Sequence, residues 1–108
     1  MTSVIEIVCF TVIPGTTEAD LVTATQCSQT FVATLAGFQY RSLSYHLDSQ
    51  TWTDVIYWDS MDSAKQACEQ FKAHPDCQAF MALIDPKTIN IEHQEIRMSA
   101  LAQELISN

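Results

Sequence analysis

From Val4 to Ile13 the chain reads VIEIVCFTVI, a run rich enough in β-branched side chains to predict a strand, which Pro14-Gly15 ends. Thr17 followed by Asp20 has the form of a capping box. Leu21, Ala24, Thr25, Ser28, Phe31, Val32 and Leu35 then recur at helical spacing, and Gly37 stands where a left-handed cap would close that helix. Two strands are predicted at 38–47 and 52–59, joined by the polar turn Asp48-Ser49-Gln50-Thr51. Ser60 can cap a second helix whose buried face is Ala64, Ala67, Cys68 and Phe71. His74-Pro75 interrupts that helix, because a proline ring clashes with the preceding turn. A continuation through Phe80, Met81 and Ile84 stops at Asp85-Pro86, a last strand covers 88–97, and Met98 to Ile106 reads as a short amphipathic helical tail.

Strand, helix, strand, strand, helix, strand is the doubled βαβ order of a ferredoxin-like α+β sandwich, here a single domain over 1–108. The expected sheet is antiparallel, with the first strand between the third and fourth, read as parallel to the third and antiparallel to the fourth. Its helices cover one face. The first strand is apolar on both, with Val4, Val8, Phe10 and Val12 on one side and Ile5, Ile7, Cys9 and Ile13 on the other. The uncovered face calls for a second sheet, and a homodimer is the simplest supplier.

Composition narrows the partners. Lys and Arg number 5 against 13 Asp and Glu, a formal charge of −8, which argues against nucleic acid and anionic membranes. With Gly15 and Gly37 its only glycines, the chain lacks a phosphate-cradling loop, and no cofactor is expected. No apolar stretch is long enough to span a bilayer, and the N-terminus lacks the pattern of a signal peptide, so the expected location is the cytoplasm. Cys9, Cys27, Cys68 and Cys77 show no C-x-x-C spacing and read as small buried hydrophobes; no metal site is expected.

The strings VIEIVCFTVIPGT, AGFQYRSL, WTDVIYWDSMDSA, FKAHPDCQAFMALIDP and INIEHQEI, spanning 4–97, resemble the dimeric α/β-barrel proteins of the antibiotic-biosynthesis-monooxygenase-like group, in particular its small bacterial members. The resemblance implies two sheets curled together in a dimer, with a small-ligand pocket between sheet and helices in each subunit. Activities in that group include cofactor-independent oxygenation of aromatic polyketides, haem degradation and the processing of small carbonyl compounds. Haem-degrading members carry an Asn on the first strand, then a Trp and a haem-ligating His in the second helix. Val8, Ala67 and Cys77 stand at those positions, with His74 three residues away, so the resemblance does not extend to haem degradation.

Placing the turn at Ser49-Gln50, or at 48–51, pairs Leu47 with Trp52, Tyr45 with Asp54, Leu43 with Ile56 and Arg41 with Trp58. Glu6, Asp54, Tyr45 and His93 then gather at one end of the sheet as the candidate catalytic cluster. Two carboxylates beside an imidazole suit proton transfer on a small carbonyl or phenol. The same residues also fit a solvated rim with a Glu6–His93 cross-strand pair. Trp52 and Trp58 are candidate walls of an apolar pocket or, at period two on a sheet, core residues; Arg41 is a candidate partner for a ligand carboxylate, for the Trp58 indole or for Asp59, and His74 a candidate ligand contact or helix-end residue. No serine sits in a G-x-S-x-G setting. The expected protein is thus a small-molecule-binding dimer, a cofactor-independent monooxygenase or isomerase acting on a small aromatic or carbonyl compound. The alternative is a non-catalytic ligand-binding or structural dimer.

Overall fold

The computed structural model describes residues 2–100. Its elements are β1 (Val4–Phe10), α1 (Glu18–Val32), β2 (Phe38–His46), β3 (Thr51–Trp58), α2 (Met61–Ala73), a 3-10 turn at Pro75–Cys77, α3 (Gln78–Leu83) and β4 (Asn90–Glu95). The strands form one sheet in the order β2-β3-β1-β4, antiparallel throughout. This is the ferredoxin-like α+β fold that the element order predicts.

The local signals explain most of the boundaries. The Thr17 side chain accepts from the Asp20 N–H at 3.0 Å while the Asp20 carboxylate accepts from the Thr17 N–H at 3.1 Å, a complete capping box that starts α1. Ser60 accepts the Ser63 N–H at 3.1 Å and starts α2. Pro75 breaks the second helical stretch; His74 closes α2, its backbone N–H donating to Phe71 O at 3.4 Å, and also caps the following turn, its Nδ1 accepting the Asp76 N–H at 3.1 Å.

Several expectations are corrected. β1 ends at Phe10, not Ile13; beyond it Val12 makes an isolated bridge with Ile84, flanked by Ile13 N–H to Leu83 O and Asp85 N–H to Thr11 O, each 2.9 Å. Gly37 has φ 85°, yet it lies beyond the helix end, at the entry to β2, where a Cβ would run into the Asp59 carboxylate and the Ser63 hydroxyl. β3 runs antiparallel to β1, since the tight hairpin from β2 reverses the chain. The hairpin loop is Leu47–Gln50, with Gln50 at φ 56°, so the register moves by two residues: Tyr45 faces Trp52, Leu43 faces Asp54 and Arg41 faces Ile56. A bulge between Phe38 and Tyr40 lets Phe38, opposite Trp58, share a face with Arg41. Met98 to Ala100 form no helix, and the rest of the expected tail lies outside the described residues.

The helix-covered face holds the core in two clusters. Val8, Phe10, Leu21, Ala24, Trp52, Phe80 and Ile84 form one; Val4, Val32, Ile56, Trp58, Ala64 and Ala67 form the other. Phe71 packs against both. On the opposite face Ile5, Ile7, Val55 and Tyr57 are only half-buried and Tyr40 is exposed. No helix among the described residues is long and apolar enough to cross a membrane.

Candidate functional site

Between the two core clusters lies a cavity of about 130 Å³, with walls from β1, β3, α2 and α3 and a mouth beside β4. It is apolar except for four side chains: Glu6, Asp54, Cys68 and Lys72. Alternation along β1 turns Glu6 toward the helices, between Val4 and Val8. Glu6 faces Ile56 on β3 and His93 on β4, which leaves Trp58 and Asp54 as its diagonal neighbours. Trp58 donates its Nε1–H to Glu6 Oε1 at 3.0 Å, and His93 Nε2 stands 3.8 Å from the same oxygen. Burial pushes the Glu6 carboxyl above its ordinary range and Asp54 adds to this; the Trp58 hydrogen bond, His93 and Arg41 pull the other way without cancelling it. His93 Nε2 is itself buried without a hydrogen-bond partner among the described residues.

Asp54 has a different occupation. Arg41 grips it in a fork, Nε to Oδ1 at 3.0 Å and Nη2 to Oδ2 at 2.8 Å, with both side chains almost wholly buried. Arg41 Nη1 also donates to Ser28 Oγ at 2.9 Å and Gln29 Oε1 at 3.3 Å, and the guanidinium lies 5.4 Å from the centre of the Phe80 ring. Arg41 thus ties β2 to β3 and α1, with Asp54 as its carboxylate, in place of a ligand or Asp59. Both oxygens of Asp54 are engaged by Arg41, so neither is left for a ligand in the cavity.

Glu6, Asp54 and His93 therefore meet on one face, but Tyr45 does not join them. Tyr45 lies opposite Trp52, ring centroids 4.5 Å apart, and is exposed. Trp52 belongs to the first core cluster but does not itself line the cavity, and His74 stacks on Phe31 at 3.7 Å, outside it. Of the residues proposed as pocket walls, Trp58 lines the cavity. Among the cysteines, Cys77 is buried, Cys9 and Cys68 are half-buried, and Cys27 is exposed, contrary to the reading of all four as buried. Burial pushes the Cys77 thiol up to about 11 and raises that of Cys68 as well. Among the described residues no three His, Cys, Asp or Glu side chains gather closely enough to hold a metal ion.

The fold has close counterparts among solved structures. A variant of SnoaB, a cofactor-independent oxygenase from Streptomyces nogalater, superposes with a TM-score of 0.72 at 21% identity, over 90% of this chain and 95% of that one. A proposed antibiotic biosynthesis monooxygenase from Bordetella bronchiseptica does so with a TM-score of 0.72 at 16% identity, over 91% of this chain and 100% of that one. The chain has the fold of the antibiotic-biosynthesis-monooxygenase-like proteins. A third protein with this fold, NE2512 from Nitrosomonas europaea, of unknown function, gives 0.67 at 20% identity, over 94% of this chain and 96% of that one. No family model matches the sequence, and no curated protein sequence matches it.

Sequence reasoning missed Lys72, Ile89 and Ile91 as cavity residues of this monooxygenase-like fold. The signal for Lys72 was its place four residues after Cys68, on the row of α2 that faces the sheet.

Proposed function

We propose that this chain binds a small aromatic or carbonyl compound in the cavity between sheet and helices, and transfers a proton to or from it through Glu6, as a cofactor-independent monooxygenase or isomerase. The observation that carries this reading is the buried Glu6 carboxyl, held by Trp58 at one oxygen and bordering an otherwise apolar space. A carboxyl whose pKa is raised by burial moves toward the range in which acid–base catalysis near neutral pH is efficient. His93, its Nε2 3.8 Å from Glu6 Oε1 and its side chain 23% exposed, is the neighbour through which that proton would pass onward. The fold shared with a protein described as a cofactor-independent oxygenase supports the same class.

The working form is a homodimer, in which a second copy covers the half-buried face around Ile5, Ile7, Val55 and Tyr57. Sedimentation at micromolar concentration should show the dimer, and a monomer would remove this part of the reading. Thermal-shift screening against phenols and dicarbonyls should find a stabilising ligand. Glu6→Gln should still bind it but lose turnover by a factor of roughly 100 or more; full turnover in that variant would refute the assignment.

One observation favours a second reading, a non-catalytic ligand-binding or structural dimer. The cavity's volume of about 130 Å³ falls below the roughly 300 Å³ at which small-molecule sites usually begin. A ligand that binds and is recovered unchanged under air, with catalytic amounts of protein, would decide for it.

A further inference from the structure

The polar groups of the cavity sit at its two ends. At the inner end, Asp54 is saturated by Arg41, and the Trp58 N–H is taken by Glu6 Oε1. The second oxygen of Glu6 makes no hydrogen bond among the described residues, so it is left for whatever enters. At the outer end, Ile89 and Ile91 are 41% and 43% exposed and mark the mouth. Lys72 reaches the same cavity from α2 with its side chain 60% exposed. Its ion-pair partner among the described residues is Glu69, 4.0 Å away and 81% exposed, too loose and too hydrated a partner to occupy the ammonium. In a chain with formal charge −8, a cation at a cavity mouth is a local exception.

Volume sets the remaining limit. An enclosed, dry protein cavity of about 150 Å³ accepts benzene; at about 130 Å³ this space takes a single ring only because it opens at the mouth, where a substituent can lie outside. Charge sets the orientation: the Arg41–Asp54 pair carries no net charge, so Glu6 is the acid that disfavours an anion at the inner end, while Lys72 attracts one at the mouth.

Resting on the reading that this cavity is the ligand site, we propose that its ligand class is single-ring anions with a hydroxyl or carbonyl group remote from the charge. The remote oxygen meets the free oxygen of Glu6, the ring lies between Ile56 and Phe71, and the anionic group meets Lys72 at the mouth. Compounds of three fused rings are excluded by size.

Titrations followed by Trp fluorescence, which Trp58 makes sensitive to the cavity, test this with phenol, 4-hydroxybenzoate and anthraquinone-2-carboxylate. 4-Hydroxybenzoate should bind roughly fivefold more tightly than phenol, a margin that shrinks with added salt. Lys72→Gln, a change at an exposed side chain, should bring it down to the level of phenol. The anthraquinone should give no saturable signal. Equal affinity for the two single-ring compounds, a margin that survives Lys72→Gln, or tight anthraquinone binding would each overturn the ligand class while leaving the cavity as a binding site. Absence of binding by all three would overturn the ligand class and the site reading together.

Discussion

The Arg41–Asp54 pair allows the most exacting test of how this fold is held together. Arg41→Met keeps the length and apolar stem of the side chain but removes five N–H donors. It strips both oxygens of Asp54 of their partner and leaves the fully buried Ser28 hydroxyl without the Arg41 donor, all in a region closed to water. The side chains of the pair are 4% and 3% exposed, so solvent screening offers little relief. Removing one member of such a pair costs about 3–5 kcal/mol. For a chain of this size each kcal/mol lowers the melting temperature by about 4 °C, so the expected fall is roughly 12–20 °C. Asp54→Leu alone should cost a similar amount by stranding the guanidinium. The double variant, with both charges gone and apolar volume in their place, should recover most of the loss. Urea and thermal melts followed by circular dichroism measure all four proteins. Single variants within about 1 kcal/mol of the parent, or a double variant that loses the sum of the two, would refute the account of a desolvated, mutually dependent pair.

Other expectations follow from single side chains. The native Glu6 carboxyl titrates above its ordinary 4.5, so the stability it contributes is full below 4.5 and is lost as pH rises through the raised native value. Glu6→Gln, which keeps an oxygen for the Trp58 N–H, should flatten this fall and exceed the parent in stability near neutrality; identical profiles of urea midpoint against pH would contradict it. Gly37→Ala meets both the positive φ and the Asp59 and Ser63 side chains and should cost about 2–4 kcal/mol. Gly15→Ala, at φ 89° with open space around it, should cost only about 1–2 kcal/mol in the same melts. With its thiol pushed up to about 11, the buried Cys77 should stay unreactive toward a thiol reagent in the folded protein, while the exposed Cys27 reacts at once; equal rates would contradict the burial.

The fold was legible because local signals agreed with each other: the Thr17 and Ser60 caps, the His74-Pro75 break and the alternation of β1 each proved to act where the sequence put them. The site was less legible, chiefly through the hairpin. Reading the turn as Ser49-Gln50 ignored that Gln50 can take a left-handed conformation, and the resulting two-residue slip preserved every face while changing every partner. In the true register Arg41 faces Ile56, which makes Asp54 its diagonal neighbour and within reach of a long side chain. In the expected register the two lie another two residues apart along the strand, and the pair is invisible. The slip also placed Tyr45 opposite Asp54 and so enlarged the candidate cluster by one residue. Glu6 and His93 were legible for another reason: they come from strands flanking the same centre, and their pairing does not depend on the hairpin.

The short bridge of Val12 with Ile84 gives the cavity one stiff wall. It moors the last turn of α3 to the end of β1, while the His74 cap moors the turn that precedes α3. Phe80, Met81 and Ile84 thus hang on a segment anchored at each side, whereas α2 meets the cavity along its free middle, through Cys68 and Lys72. If the cavity takes a ligand, amide exchange in α2, rather than in the doubly moored α3, is where its occupancy should register first.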